Sequence, residues 1–175
     1  MTPAEFIHKW RHVQLTERSA AQQHFLDLCE LVGHPKPAEA DKTGDTFTFE
    51  RGAAKHGGGQ GDTPRAQSRG WADVWKKGFF AVEYKGPHKD LDAAYDQLLL
   101  YRAALENPPL LVVCDLDRIV IRTNFTATPV AEYAITLATL AEPVSLERLQ
   151  ALFFAPEKLR PGITCAAITT AAAAT

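Results

Sequence analysis

Cysteine is scarce in this sequence and unpatterned where it occurs. Cys29, Cys114 and Cys165 are odd in number and far apart, which speaks against a disulfide framework or a zinc site and for buried thiols in a reducing compartment. Long apolar runs are missing too. No stretch reaches the roughly 18 residues that a spanning helix requires, and Glu5, Lys9 and Arg11 stand where a signal peptide would be apolar. The chain is therefore expected to be neither secreted nor membrane-spanning, and cytoplasmic. Charge of one sign is also lacking: a formal net charge of -2 over 175 residues provides no global basic field, so any contact with nucleic acid has to be local. The six histidines show no metal-ligand spacing and read as isolated surface or capping residues. His56 to Gly61 is rich in glycine, yet no Gly-Lys-Ser or Gly-Lys-Thr follows it, which excludes a P-loop.

What is present is periodic. Between residues 3 and 32, Phe6, Ile7, Trp10 and Val13, then Phe25, Leu28, Cys29, Leu31 and Val32, recur at steps of three and four, the helical signature. Thr16 and Ser19 mark the start of a second helix there, and Gly33-His34-Pro35 its end. Thr46 to Glu50 alternates strictly and predicts a strand with one buried face. The polar, glycine-rich stretch from Gly52 to Gly70 reads as a mobile loop. Trp71 to Lys77 and Phe79 to Lys85 predict a hairpin about Gly78. Asp90 to Leu105 carries a helical stripe that Asn107-Pro108-Pro109 stops, and the continuous run Leu110 to Cys114 predicts a central strand covered on both faces. Arg118 to Arg122 is expected to be a strand after a turn at Asp115 to Asp117, with closing helices over Val130 to Leu140 and Ser145 to Phe153. The expected fold class is α/β, of the α+β kind: one domain over residues 1 to 162, a mixed β-sheet flanked by helices. The alanine- and threonine-rich tail over residues 163 to 175 has no amphipathic pattern and is expected to be disordered.

Charge inside an apolar run singles out the hairpin. Asp73 is followed, nine residues on, by Glu83-Tyr84-Lys85. On a strand, residues two apart share a face, so Glu83 and Lys85 point one way and Tyr84 the other. Whether Asp73 joins them depends on register. A three-residue connection (Lys77, Gly78, Phe79) sets Asp73 opposite Glu83, whereas a two-residue connection (Lys77, Gly78) pairs it with Val82. An acid, an acid and a lysine are ordinary surface residues, but Phe79-Phe80-Ala81-Val82 is no surface run, and charges there cost free energy unless compensated. Cleaving a phosphodiester needs a hard cation to polarise the phosphate and make hydroxide from water, and carboxylates suit magnesium. Asp73 and Glu83 would hold the ion, the Val82 carbonyl would add an oxygen, and Lys85 would neutralise developing charge or orient the water. Lys76, Lys77, Lys85, His88 and Lys89 make a local basic patch suited to phosphates, or alternatively a solvated turn.

These residues resemble the PD-(D/E)xK nuclease superfamily and, more narrowly, the N-terminal endonuclease domain of MmeI-like (type IIG/IIL) restriction-modification proteins, single chains that join a nuclease to a DNA adenine methyltransferase. The words that carry the resemblance run from Thr16 to Cys29, Gly70 to Trp75, Phe79 to Gly86, Tyr95 to Leu98 and Leu110 to Asp115. It covers residues 3 to 162. It implies a restriction-endonuclease-like fold and a magnesium-dependent endodeoxyribonuclease, manganese substituting, that acts on double-stranded DNA in phage defence. Asp73 and Glu83 would then be metal ligands and Lys85 the catalytic lysine. Gln97 and Tyr101 match a Gln-x-x-x-Tyr pattern of some such nucleases and, four apart, share a helix face. Glu17 resembles the first-helix acid that completes the metal site.

Two departures stand out. Asp62 to Arg69 looks like an insertion before Gly70-Trp71-Ala72-Asp73 and reads as a longer surface loop, a mild change thermodynamically. No Asn-Pro-Pro-Tyr motif and no glycine-rich AdoMet loop occur, and Asn107-Pro108-Pro109-Leu110 reads as a helix stop. The expectation is a nuclease module without its methyltransferase and target-recognition regions, which would act in cis or in trans, two sites meeting transiently to cut both strands. The alternative is a catalytically silent DNA-binding or scaffold remnant.

Overall fold

The computed structural model describes residues 1–11, 13, 17–52, 71–86 and 89–162, without the side chains of residues 17–19. The predicted tail lies outside the described residues, as does the predicted loop beyond Gly52. Six strands form one sheet: β1 (Phe47–Arg51), β2 (Ala72–Lys76), β3 (Phe80–Tyr84), β4 (Leu110–Cys114), β5 (Arg118–Thr123) and β6 (Glu132–Thr136), in that spatial order. Only β3 and β4 run parallel; every other neighbouring pair is antiparallel. A parallel pair cannot be closed by a tight turn and needs a crossover. The helix Leu91–Tyr101 supplies it, so β3, this helix and β4 make one βαβ unit inside an otherwise antiparallel sheet.

The helices are α1 (Pro3–Trp10), α2 (Glu17–Val32), the single turn α3 (Pro37–Ala40), α4 (Leu91–Tyr101) and α5 (Pro143–Phe154), followed by a 3-10 turn at Pro156–Leu159. They cover both faces of the sheet. On one face Phe80, Val82 and Tyr84 of β3 and Leu110, Val112 and Cys114 of β4 pack with Phe6 and Trp10 of α1, Phe25 and Leu28 of α2 and Leu152 and Phe153 of α5. On the other, Ala81, Leu111 and Val113 meet Leu91, Ala94 and Leu98 of α4. Alternation therefore distributes a continuous apolar run between two cores, and every residue of β3 and β4 is buried. No described helix is long and apolar enough to cross a membrane.

Local chemistry sets the boundaries. Thr2 caps α1 reciprocally with Glu5: its hydroxyl oxygen accepts the Glu5 N–H at 3.3 Å while the Glu5 carboxylate accepts the Thr2 N–H at 2.6 Å. Gly33 ends α2 with φ of 72°. The Asp90 carboxylate caps α4 through the Asp92 and Ala93 N–H groups, and the helix stops at Tyr101 rather than Leu105. Gly52 has φ of 84°, and a Cβ there would lie 2.4 Å from the Trp71 ring. With the Trp71 N–H on the Arg51 carbonyl at 2.7 Å, the ends of the intervening segment are pinned together. β2 therefore starts at the base of that segment, immediately after Trp71.

Residues Val130 to Leu140 depart from expectation. In place of the expected helix they contain β6, which pairs along β5 through Ile119 with Ile135 and Ile121 with Tyr133. The spacing of Val130, Tyr133, Ala134 and Leu137 suits a helix, but Tyr133 and Ile135 also alternate. The unpaired edge of β5 decides in favour of the strand.

One carboxylate organises the entry to β1. Asp41 accepts the N–H groups of Thr43 (2.9 Å), Gly44 (3.0 Å), Thr46 (2.6 Å) and Phe47 (3.1 Å), and the hydroxyls of Thr43 and Thr46. These donors, those of Thr46 foremost, hold its carboxyl well below the usual range. A lowered value in the fold adds stability that is fully present above the unfolded value of about 3.9 and is lost as the pH falls below it. Asp41→Asn is expected to lower Tm by several degrees at pH 7, with the gap to the parent narrowing steadily as the pH falls below about 4. Melts over that range check this, and a gap independent of pH would contradict it.

Candidate functional site

The site forms where the β2–β3 hairpin opens, away from its turn. Val74 pairs with Val82, Trp75 with Ala81 and Lys76 with Phe80, so Lys77, Gly78 and Phe79 make the three-residue connection, Gly78 with φ of 73°. One further step sets Asp73 across from Glu83. There the ladder gives way to a side chain, because Asp73 Oδ2 accepts the Tyr84 N–H at 2.7 Å. The aspartate is thereby tied to the main chain between Glu83 and Lys85.

Glu83 shares its face with Ala81, the α4 side, and is only 6% exposed. Its Oε1 accepts from Lys85 Nζ at 2.6 Å and from Gln97 Nε2 of α4 at 3.0 Å. The Glu83 carboxyl is pushed up to about 7, first by burial and then by the negative charge of Asp73, against the hydrogen bonds and charge of Lys85 and the Gln97 amide. Lys85 keeps part of its side chain in solvent, at 22% exposure, and its N–H continues the parallel ladder onto the Cys114 carbonyl at 2.8 Å. The arrangement is thus a half-buried pair of carboxylates, one ammonium and one amide.

Not every predicted residue joins it. Val82 turns its side chain to the α1–α2 face, leaving only its main chain for any ligand role. Tyr101 ends α4 at 39% exposure, with no hydrogen bond to Glu83 or Lys85. The Glu17 side chain lies outside the described residues, as does His88. Among the described residues no group of three or more His, Cys, Asp or Glu converges as a metal cage. The basic patch is dispersed. Lys76 Nζ donates to His34 Nε2 at 2.8 Å and to the Phe153 carbonyl at 2.7 Å, and Lys77 pairs with Glu106 at 2.8 Å, both at the turn end of the hairpin. Cys29 and Cys114 are buried free thiols, pushed up to about 12 by burial, and Cys165 lies outside the described residues.

Sequence reasoning missed the polar groups beneath the site. His24, expected at the surface, is fully buried, with Nδ1 2.9 Å from the Tyr84 hydroxyl. Buried Asp27 accepts from Trp10 Nε1 at 2.9 Å, Lys9 Nζ at 2.6 Å and Gln23 Nε2 at 2.8 Å, stapling α1 to α2. The signal was there: Ala20, Ala21, His24, Phe25, Leu28 and Cys29 form one buried helical stripe, with His24 inside it.

Against this geometry the comparison with known proteins is decisive for kinship. The model of the family described as the MmeI N-terminal domain matches residues 1–174. The chain belongs to that family. Membership places it in the context of restriction-modification enzymes. No curated protein and no solved structure matches the chain.

The raised Glu83 carboxyl has a consequence for stability. Because the folded value lies above the unfolded one of about 4.3, the group is neutral in both states below that pH and increasingly costly above it, on the order of 3 kcal/mol by pH 8. Glu83→Gln is expected to raise Tm at pH 8 in chelator and to leave it nearly unchanged at pH 4.5. A lower Tm at pH 8 would mean that the Lys85 pair outweighs burial.

Proposed function

We propose that the chain is the DNA-cleaving module of a restriction-modification protein, a magnesium-dependent endonuclease of the PD-(D/E)xK type. The observation that carries this reading is the meeting of Glu83, Lys85 and Gln97 within 3.0 Å at the hairpin end where Asp73 is anchored. The donor set fits a hard divalent cation. Two carboxylates on neighbouring strands leave Glu83 with a carboxyl pushed up to about 7, so the pair lacks positive charge even with Lys85 beside it. Asp73 and Glu83 would hold magnesium, or manganese in its place, with the Val82 carbonyl and Glu17 as further candidates. The ion would supply polarisation of the phosphate and a more acidic water. The protein contributes orientation. Lys85, with its tip partly in solvent, can turn from Glu83 to a phosphate oxygen or an attacking water, and Gln97 keeps Glu83 aligned as it does so. Tyr101, exposed on the same helix, lies open to a substrate.

The substrate of this reading is double-stranded DNA in the cytoplasm, with a methyltransferase and specificity region in cis or in trans and transient pairing of two sites for a double-strand cut. Supercoiled plasmid should be nicked in magnesium or manganese and left intact in EDTA. Glu83→Ala and Lys85→Ala should each lower the rate by at least ~100-fold with unchanged circular dichroism, and Gln97→Ala by roughly tenfold. Equal nicking by parent and Glu83→Ala would remove the reading, and an inert but DNA-binding parent would favour a silent DNA-binding remnant.

A further inference from the structure

Tyr84 stands between Glu83 and Lys85 and is held from three directions. Its N–H binds Asp73 Oδ2 at 2.7 Å, its backbone pairs with Cys114 of β4, and its hydroxyl, on the opposite face of the sheet, lies 2.9 Å from His24 Nδ1. We infer that the buried Tyr84–His24 hydrogen bond positions the candidate site, fixing the roll of β3 so that Glu83 and Lys85 are presented together toward Gln97. This rests on the nuclease reading above.

The pair is costly for a merely structural element. Tyr84 is 1% exposed and His24 fully buried, and His24 Nε2 has no hydrogen-bond partner. A phenylalanine and an aliphatic residue would fill the same space without dehydrating three polar atoms. The imidazole packs edge-to-face among Phe6 (5.2 Å between centroids), Trp10 (4.8 Å) and Tyr84 (5.6 Å). The direction of the bond follows the tautomer: with the proton on Nε2, where an aromatic face tolerates it better than a bare lone pair, the Tyr84 hydroxyl donates to Nδ1. Burial pushes the His24 imidazole down to about 3, so the acceptor persists through the neutral range. What the bond adds is direction. With a period of two, any roll of β3 about its axis moves Glu83 and Lys85 together, and the hydroxyl restrains that roll from the far face. Tyr84 and His24 touch no reacting atom and are positioning residues.

The test uses the full chain under the plasmid-nicking conditions above. Tyr84→Phe, His24→Leu and the double variant are compared with the parent for kcat, for KM toward DNA, for Tm and for Mn2+ binding by electron paramagnetic resonance. Tyr84→Phe is expected to lower kcat about tenfold or more, since small misplacements act steeply on rate, with KM within about twofold. The double variant removes both polar partners and is expected to regain the parental Tm while staying as slow as Tyr84→Phe. A double variant as fast as the parent, or a Tyr84→Phe protein that nicks normally while Glu83→Ala does not, would overturn the inference. A parent that neither nicks nor binds Mn2+ overturns the nuclease reading itself, and the inference with it.

Discussion

The structure turns on one constraint: β3 is covered on both faces, yet must carry a carboxylate. Phe80, Val82 and Tyr84 face three helices and Ala81 faces α4, so Glu83 emerges into the seam beside α4 with 6% exposure. An acid placed there is stable only if partners arrive from elements fixed for other reasons. Lys85 arrives by strand alternation, and Gln97 arrives because the parallel β3–β4 pair requires a crossover helix over that face. The topology that makes the sheet mixed also delivers the amide to the carboxylate.

The hairpin adds the second acid with little freedom. A three-residue connection sets the register, and the same register that aligns Val74 with Val82 brings Asp73 level with Glu83. Asp73 then replaces a ladder hydrogen bond with its own carboxylate on the Tyr84 N–H. The two acids are held near each other by main-chain geometry rather than by flexible side chains, and their mutual repulsion is part of what raises the Glu83 carboxyl.

Most of this was legible in the residues. The run Leu110 to Cys114 declares a doubly covered strand, and Gly78 between two apolar arms declares the hairpin; the sequence allows both registers, and the fold takes the three-residue connection. What was not legible is what depends on neighbours distant in the chain. Val130 to Leu140 offered helical and strand periodicities at once, and only β5, lying alongside, distinguishes them. Lys76 and Lys77 look like phosphate ligands in the sequence. The fold uses Lys76 to close the carboxyl end of α5 and Lys77 to meet Glu106. His24 was misread because a histidine in an apolar helical stripe carries no local sign that a tyrosine hydroxyl waits across the core.

The same disposition of cations bears on how a module of the proposed kind meets DNA. Affinity for a duplex comes chiefly from lysines and arginines that neutralise phosphates. Here Lys9 is engaged with Asp27, Arg51 and Lys77 with Glu106, Lys85 with Glu83, Arg118 with Asp115 and Arg122 with Asp92 and Glu132. Phosphate contacts by these six residues would require their ion pairs to be exchanged, so the gain per contact would be correspondingly small. On the proposed reading, a specificity region in cis or in trans would add the grip on DNA that these paired residues give up, and the domain would contribute the cut. A cleavage module with little affinity of its own would act only where such a region holds the duplex against it, which would suit an activity whose indiscriminate use damages the host genome.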